Sequence, residues 1–253
     1  MKLLENKSAI ITGATRGIGR GIAIEFAKQG ANIAFTYSSS VDAANALEKE
    51  LQAFGVNAKG YQSNAADFDA AQELAKNVLA EFGAIDILVN NAAINPVYSP
   101  IEAVDPAIFD KIMEINVKAP WSLSNLVLPH FKANKNGSII NIASVEALTP
   151  GFGLGIYSTS KAAILMLTKN QAKEWGPYGV KANAICPGLI KTKFSAALWT
   201  NEKMLHKLEK SIPSGRMGMP EEMVGLACLL ASDAGNYMTG GVYTADGGYM
   251  IAG

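Results

Sequence analysis

Cysteine and histidine are scarce in this sequence. Cys186 and Cys228 are its only cysteines, and His130 and His206 its only histidines, among 253 residues. Two cysteines do not make a disulfide framework, and so few thiol and imidazole ligands argue against a metal site of the histidine–cysteine kind. We therefore expect no disulfide framework and no bound metal.

An excess of charge and a long apolar run are also lacking. Lysine plus arginine and aspartate plus glutamate number 22 each, without a basic block. Nucleic acid and anionic membranes are therefore not expected as partners. No apolar run reaches the roughly 18 residues of a membrane span, and the first residues lack the h-region of a signal peptide. We expect a cytoplasmic protein.

Short apolar runs alternate with amphipathic stretches from end to end. Runs that are apolar almost throughout are typical of parallel strands buried on both faces. Repeated strand–helix–strand order predicts an α/β fold, a doubly wound parallel sheet of about seven strands with helices on both faces. With no linker in view, we predict one domain over residues 1–253, with a helical insertion at Lys191–Ser214. The predicted strands are Ser8–Thr12, Asn32–Tyr37, Ala58–Gln62, Ile85–Asn90, Ser138–Ala143, Val180–Cys186 and Val242–Ala245, and the predicted helices are Gly17–Gln29, Val41–Phe54, Asp67–Phe82, Pro106–Ala133 and Ser158–Trp175.

A glycine-rich turn follows the first predicted strand. Gly13, Gly17 and Gly19 are spaced G-x3-G-x-G in "ITGATRGIG", which departs from the G-x-G-x-x-G dinucleotide fingerprint. Glycine lets backbone N–H groups approach a pyrophosphate, and the following helix presents its positive N-terminus. The motif therefore favours a phosphate cradle, although a purely structural turn gives the same pattern.

The end of the second predicted strand bears on the choice of cofactor. Folds that prefer NAD place an acidic residue there to hold the ribose hydroxyls, whereas this chain has Tyr37 and Ser38. A hydroxyl and a nearby guanidinium bind a 2′-phosphate that a carboxylate would repel. Arg16 in the glycine loop supplies that guanidinium unless it is simply a solvated surface arginine. We predict NADP(H) as the cofactor.

Tyr157 and Lys161 lie four residues apart in a helical pattern, so both face the same way. Bringing a tyrosine from a pKa near 10 to about 7 needs roughly 4 kcal/mol of preference for the phenolate. An ammonium about 4 Å away, at an effective dielectric near 20, supplies about that much. Ser144, at the end of the fifth predicted strand, faces the same ligand crevice. The pattern predicts an activated proton donor.

Taken together, these motifs resemble those of the short-chain dehydrogenase/reductase family over essentially the whole chain. They are TGATRGIG, NNAA, Asn116, Ser144, Tyr157-x-x-x-Lys161 and PGLIKT, in the family's order and near its spacings. The resemblance implies a Rossmann-type single domain that forms homotetramers through its long fourth and fifth helices and its C-terminal strand. A nucleotide-sensing, non-catalytic protein of this fold would lack the catalytic tetrad, so we predict an enzyme.

The resemblance also implies roles for individual residues. Tyr157 is the general acid in reduction, Ser144 positions the carbonyl, Lys161 binds the nicotinamide ribose and biases Tyr157, and Asn116 orders a proton-relay water. The residues assigned to the cofactor are Gly13, Thr15, Arg16, Gly17, Ile18, Gly19, Tyr37, Ser38, Asn64, Ala65, Asn91, Ala92, Ala93, Tyr157, Lys161, Pro187, Gly188, Ile190 and Thr192.

Two substrate hypotheses remain open. Residues 1 to 93 resemble 3-oxoacyl-(acyl-carrier-protein) reductases, whereas the remainder resembles NADPH-dependent carbonyl and retinal reductases. Ala93 stands where the family usually has glycine, and Ile156 where the carrier-protein reductases usually have asparagine. We predict an NADPH-dependent reductase of a small-molecule ketone or aldehyde, with the carrier-protein reductase as the alternative.

Recognition of an acyl carrier protein needs basic residues near the mouth of the active site. Lys135 occupies one such position, but Tyr178 stands at the other, where arginine would help. Cys186 precedes Pro187-Gly188, and we interpret it as a small buried strand residue rather than a thiolate. The pocket side offers an apolar set suited to a hydrophobic carbonyl compound: Phe152, Leu154, Phe194, Leu198 and Trp199.

Overall fold

The computed structural model describes residues 2–252, so Met1 and Gly253, the two ends of the predicted domain, lie outside the described residues. Seven parallel strands form one sheet in the order β3-β2-β1-β4-β5-β6-β7, which confirms the predicted fold class. The strands are Ser8–Ile11 (β1), Asn32–Tyr37 (β2), Ala58–Gln62 (β3), Ile87–Asn90 (β4), Gly137–Ile142 (β5), Val180–Pro187 (β6) and Val242–Ala245 (β7).

The centre of the sheet determines where a ligand can bind. β1 pairs with β2 on one side and β4 on the other, so that Ile10 lies opposite both Ala34 and Leu88. The chain winds outward from β1 to β3 and then returns to β4, which starts the other half of the sheet. Such a reversal leaves a crevice beyond the carboxyl ends of β1 and β4.

Helices cover both faces of the sheet. None of those within residues 2–252 combines the length and the apolar character that a membrane span requires. The helices are Gly17–Lys28 (α1), Val41–Gln52 (α2), Phe68–Phe82 (α3), Pro106–Met113 (α4), Ala119–Asn134 (α5), Gly155–Trp175 (α6), Ala196–Trp199 (α7), Glu202–Lys210 (α8) and Val224–Ala231 (α9).

The core is divided by the sheet into two main apolar layers. Because successive strand residues point to opposite faces, Ile11 packs with Phe26 and Phe35 in one layer. Its neighbour Ile10 packs with Phe131 in the other layer. Near-continuous burial along the central strands therefore explains their apolar sequences.

One long helix predicted from the sequence is wrong. The predicted helix Pro106–Ala133 is instead α4, a π-helical turn at Glu114–Lys118, and α5. Pro120 has no N–H group, so the carbonyl oxygen of Asn116 loses the partner that an α-helix would give it. Helix α9 was not predicted, because its apolar sequence lacks a polar face.

The start of β5 generates a stability prediction. Gly137 lies against the buried ring of Phe131, and a Cβ added there would collide with the ring atoms. We expect Gly137→Ala to reduce the free energy of unfolding by roughly 1–3 kcal/mol, measured by denaturant titration. Gly225 in α9 is the control, since a Cβ there meets nothing within 4 Å. Equal losses in Gly137→Ala and Gly225→Ala would contradict the explanation.

Candidate active site

Hydrogen bonds from the end of β4 hold the glycine loop in place. The Asn91 side-chain amide donates to the carbonyl oxygens of Thr12 (2.8 Å) and Gly13 (3.1 Å). In return, the Thr12 hydroxyl accepts from the backbone N–H groups of Asn91 (2.9 Å) and Ala92 (3.0 Å). A Cβ on Gly19 would collide with the Asn91 amide. The third glycine of the motif is therefore required by this close approach.

The N-terminus of α1 is open to an anion. Gly13 and Gly17 have φ values of 66° and 58°, a conformation that favours glycine. Arg16 is the N-cap residue of α1, and its side chain makes no capping hydrogen bond. The first turn also carries no acidic residue, so its N–H groups and helix dipole fit the pyrophosphate of a dinucleotide.

The residues assigned to the adenosine end lie around the carboxyl ends of β2 and β3. Arg16 and Ser38 are exposed, and Tyr37 is half-buried at the last position of β2. Asn64 is also exposed and accepts a hydrogen bond from the backbone of Ala66, which shapes the turn after β3. These residues line the crevice edge where a nucleotide would extend.

Ser144 and Tyr157 meet at the carboxyl end of β5. Ser144 lies two residues beyond that strand, and its hydroxyl accepts the N–H group of Glu146 at 3.1 Å. Tyr157 lies in the first turn of α6, and the Ser144 side chain is one of the groups that act on the pKa of its phenol, which it lowers. Both side chains are 9% exposed. The two residues are therefore nearly dry and lie at the same end of the sheet.

Lys161 is buried beneath Tyr157. Its ammonium nitrogen donates to the carbonyl oxygen of Ile142 at 2.8 Å and lies 5.7 Å from the centre of the Tyr157 ring. Burial lowers the pKa of Lys161 to about 8. Lys161 is therefore a cation whose charge depends on pH in the neutral to mildly alkaline range.

The expected lowering of the tyrosine pKa does not come from the chain alone. Burial raises the pKa of Tyr157 above its usual range, and the hydrogen bond from Ser144 offsets only part of that rise. The expectation was wrong because it counted the attraction of Lys161 and neglected the cost of a buried phenolate. Without further positive charge, Tyr157 remains a protonated phenol.

Asn116 joins the segment after β4 to α6. Its amide nitrogen donates to the carbonyl oxygen of Ile94 (2.9 Å) and to the Ser160 hydroxyl (3.0 Å). Its amide oxygen accepts the N–H group of Ile94 at 2.9 Å. Ser160 in turn donates to the carbonyl oxygen of Tyr157 at 2.7 Å. The buried side chain therefore fixes both walls of the site.

The segment after β6 closes the crevice from the other side. Pro187 ends β6, and a Cβ on Gly188 would lie 2.6 Å from Asp246 Cα, so glycine is needed for this close packing. The methyl group of Thr192 lies 3.4 Å from where a Cβ on Gly17 would be. The segment therefore spans from the sheet to the glycine loop, as its cofactor assignment requires, with Ile190 buried beneath it.

Aromatic residues of the insertion reach the catalytic tyrosine. The rings of Phe194 and Tyr157 are 5.8 Å apart and inclined at 44°. The indole N–H group of Trp199 donates to the carbonyl oxygen of Thr192 at 2.9 Å. The predicted polar stretch Lys191–Ser214 thus contains α7 and α8, and its Phe194 ring lies against Tyr157.

Comparison with known proteins agrees with this geometry. A family model described as "Enoyl-(Acyl carrier protein) reductase" matches residues 13–250. "Dehydrogenase/reductase SDR family member 4" of Oryctolagus cuniculus is 36% identical over 245 residues, covering 97% of this chain and 94% of that protein. The chain belongs to the short-chain dehydrogenase/reductase superfamily. It is accordingly an NAD(P)-dependent oxidoreductase.

Other relatives of this short-chain dehydrogenase/reductase carry different names. A 2-dehydro-3-deoxy-D-gluconate 5-dehydrogenase of Pseudoalteromonas atlantica is 38% identical, covering 98% of this chain and 97% of that protein. A 3-oxoacyl-(acyl-carrier-protein) reductase of Staphylococcus epidermidis is 34% identical, covering 97% of this chain and 100% of that protein. The superfamily is therefore shown, whereas the names do not agree on a substrate.

Solved structures of the superfamily share the fold closely. A gluconate 5-dehydrogenase from Burkholderia cenocepacia, in complex with NADP and tartrate, has a TM-score of 0.93 and 33% identity, covering 99% of this chain and 97% of that one. A short-chain type dehydrogenase/reductase from Mycobacterium marinum has a TM-score of 0.90 and 34% identity, covering 97% and 96%. The Rossmann-type fold is thereby confirmed.

Several residues that shape the short-chain dehydrogenase/reductase site were not predicted. The hydroxyl of Thr36 accepts the N–H group of Gly13 at 3.1 Å and helps to fix the glycine loop. Thr12 and Ser160 act in the same indirect way. Their signal in the sequence is weak, because a threonine or serine near a strand end or in a helix has many ordinary uses.

Cys186 generates a prediction about pH dependence. It is fully buried on β6, and burial raises the pKa of its thiol to about 11. The thiol therefore keeps its proton at neutral pH, whereas Lys161 is charged below about pH 8 and neutral above it. We expect Cys186→Ala to leave every limb of the pH profile of kcat/KM for carbonyl reduction in place. Loss of a limb would assign that proton to the thiol.

Proposed function

We propose that this protein is an NADPH-dependent reductase of free, mostly hydrophobic ketones or aldehydes. The proposal rests on one observation. Ser144, Tyr157 and Lys161 come together near the glycine loop, where the N-terminus of α1 has no side-chain cap. Ser144 and Tyr157 place two hydroxyls beyond the carboxyl end of β5, and the buried Lys161 lies over the ring of Tyr157. This arrangement fits the polarisation and protonation of a carbonyl oxygen.

The chain's own residues perform the proton chemistry. A bound nicotinamide cofactor would supply the hydride when reduced. When oxidised, it would add a positive charge to that of Lys161. Ser144 holds the carbonyl oxygen, and Tyr157 gives its phenolic proton to that oxygen as it becomes the alcohol. Lys161 stabilises the phenolate that remains, and a water held near Asn116 returns the proton from solvent. The same steps in reverse order oxidise an alcohol.

A preference for NADPH rests on the edge of the crevice. Tyr37 ends β2 and the exposed Ser38 follows it, so no carboxylate stands there to repel a 2′-phosphate. Arg16 is exposed at the start of α1, whereas Arg20 one turn later forms an ion pair with Glu50. Arg16 is therefore the guanidinium available for the phosphate.

An apolar cover favours free carbonyl compounds as substrates. Phe194 contacts Tyr157 and is 52% exposed, and Phe152 on the facing loop is 79% exposed. Exposed aromatic side chains around a polar centre fit a hydrophobic substrate. Some aromatic residues of the segment 191–214 also stabilise the segment itself. Trp199, for example, donates a hydrogen bond to the carbonyl oxygen of Thr192.

The alternative is a 3-oxoacyl-(acyl-carrier-protein) reductase of fatty-acid synthesis. The identity with the Staphylococcus epidermidis relative supports it. This chain has one cation fewer than the alternative favours, because Tyr178 stands where arginine is expected. The ammonium group of Lys132 lies 4.2 Å from the centre of the Tyr178 ring. Lys135 then remains as the predicted cation at the neighbouring helix end. This surface can attract an acidic partner, though without the arginine that the alternative favours.

Within this proposal the enzyme is a cytoplasmic homotetramer, and the outer helices support the homotetramer alone. Trp121 on α5 is 50% exposed, and Phe109 on α4 is 40% exposed. Trp121 borders a groove of about 550 Å³ that is also lined by Met113, Val117 and Leu167 and by the charged residues Asp110, Glu114 and Lys118. A second subunit placed there would bury apolar surface that is otherwise in contact with water.

Replacement of Tyr157 tests the proposed reaction. Tyr157→Phe removes the proton donor and should reduce kcat for ketone reduction at least about a hundredfold. NADPH affinity, measured by fluorescence titration, should change little. Tyr61→Phe is the matched control, because its hydroxyl bonds Glu81 at the far edge of the sheet. Ordinary turnover in Tyr157→Phe would show that another group is the acid.

The same assay separates the two candidate functions. We compare kcat/KM with NADPH for an aryl or alkyl ketone and for an acetoacetyl thioester of acyl carrier protein. The proposal expects a preference for the free ketone. A large preference for the carrier-linked thioester overturns the substrate class in favour of the alternative and leaves the role of Tyr157 intact.

Replacement of Tyr37 tests the cofactor preference. A carboxylate in Tyr37→Asp would bind ribose hydroxyls and repel the 2′-phosphate, so the kcat/KM ratio of NADPH to NADH should fall at least about tenfold. Arg16→Ala should lower the same ratio by weakening NADPH alone. Arg20→Ala, which disrupts a surface pair with Glu50, should leave the ratio unchanged. Equal efficiency with both cofactors in the unaltered protein would refute the preference.

A further inference from the structure

Glu146 occupies the centre of the loop that faces the substrate. It lies in the 3₁₀ turn Val145–Ala147, two residues after Ser144. Its backbone N–H group donates to the Ser144 hydroxyl at 3.1 Å. That bond occupies one of the two acceptor positions of the hydroxyl and leaves its proton available to Tyr157 or to a substrate oxygen.

The side chain of Glu146 connects this loop to the catalytic helix. Its Oε2 atom accepts the N–H group of Gly151 at 2.7 Å and the hydroxyl of Ser158 at 2.8 Å. Ser158 follows Tyr157 directly in α6 and is buried. One carboxylate oxygen thus ties the turn after Ser144, the loop at Gly151 and the first turn of α6 into a single unit.

The charge of this carboxylate has no opposite charge beside it. Glu146 forms no salt bridge with any of residues 2–252. Its negative charge is one of the causes that raise the pKa of Tyr157, and its Oε2 atom accepts from the hydroxyl of Ser158, the residue that follows Tyr157. The nearest catalytic cation, Lys161, lies below Tyr157 and donates to Ile142. A carboxylate without an ion-pair partner therefore lies beside the first turn of α6, which carries Tyr157.

We propose that Glu146 is a positioning and specificity-determining residue that selects uncharged carbonyl compounds over carbonyl compounds that carry a carboxylate. This inference rests on the proposed reduction and narrows its substrate class. The hydrogen bonds through Oε2 position Ser144 and α6. The unpaired charge repels an anionic group that approaches the reacting carbonyl. A neutral or cationic compound avoids this repulsion.

Removal of the charge without loss of shape tests the proposal. Glu146→Gln keeps an oxygen that can accept from Gly151 and Ser158. The probes are 4-oxopentanoate and its methyl ester, which differ by one charge near the same ketone. The unaltered enzyme should have the higher kcat/KM for the ester. Glu146→Gln should reduce the ester-to-acid ratio roughly fivefold or more, as for like charges about 8 Å apart at an effective dielectric near 40.

Three further variants separate charge from position. Glu146→Asp keeps the charge but shortens the side chain, so it should lower kcat while the ester-to-acid ratio stays high. Ser158→Ala removes one hydrogen bond and no charge, with the same expectation. Glu174→Gln removes an exposed charge near the distal end of α6 and should change neither quantity. A fall of the ratio in Glu174→Gln equal to that in Glu146→Gln would overturn the proposal.

A binding measurement distinguishes failure of this inference from failure of the proposed reaction. Calorimetry gives the Kd of both probes for NADPH-loaded Tyr157→Phe, with and without Glu146→Gln. Weaker binding of the acid, relieved by the glutamine, supports the inference even if the unaltered enzyme reduces neither probe and the proposed reaction fails. An unchanged ratio of Kd values, or no binding of either probe, overturns it.

Discussion

The reciprocal hydrogen bonds between Thr12 and Asn91 determine how the two halves of this protein form one site. Thr12 directly follows β1, the central strand of the first half, and Asn91 directly follows β4, the first strand of the other half. The pair holds the glycine loop against β4, which places the N-terminus of α1 at the sheet reversal. Gly19 is essential to this arrangement, because any side chain there would displace the Asn91 amide. The cofactor crevice therefore depends on a contact that itself needs no cofactor.

A buried polar network continues this arrangement below the catalytic residues. Asn90 on β4 donates to Asn141 on β5 at 2.8 Å, and Asn141 donates to Thr168 (2.8 Å) and Gln171 (3.0 Å) on α6. Such bonds between strand interiors and a helix have strict geometry, and a shifted helix would leave buried amides without partners. The network thus fixes the rotation of α6, and with it the position of Lys161 over Ile142.

The sequence predicted most of the fold and the position of the tetrad, because both follow from local signals. Apolar runs gave the strands, and the spacing of Tyr157 and Lys161 gave one face of α6. The π-helical turn at Asn116 was missed, although Pro120 four residues later indicates a lost helical hydrogen bond. The role of Glu146 could not be predicted, because it depends on contacts with Gly151 and Ser158 across a loop. The pKa of Tyr157 was misjudged because burial is a property of the whole fold.

In the proposed reaction, the environment of Tyr157 keeps the phenol in the protonated form that reduction requires near neutral pH. Burial and the negative charge of Glu146 keep the phenol protonated, and the hydrogen bond from Ser144 offsets only part of that effect. A protonated phenol is the form that can donate to a carbonyl oxygen. Oxidation of an alcohol requires the phenolate instead, which is stabilised only while Lys161 stays charged. Because burial lowers the pKa of Lys161 to about 8, alkaline conditions that help to deprotonate the phenol also remove the charge that stabilises it. Within the proposed reaction, the buried surroundings of Tyr157 and Lys161 therefore control which protonation states of the pair are populated at a given pH.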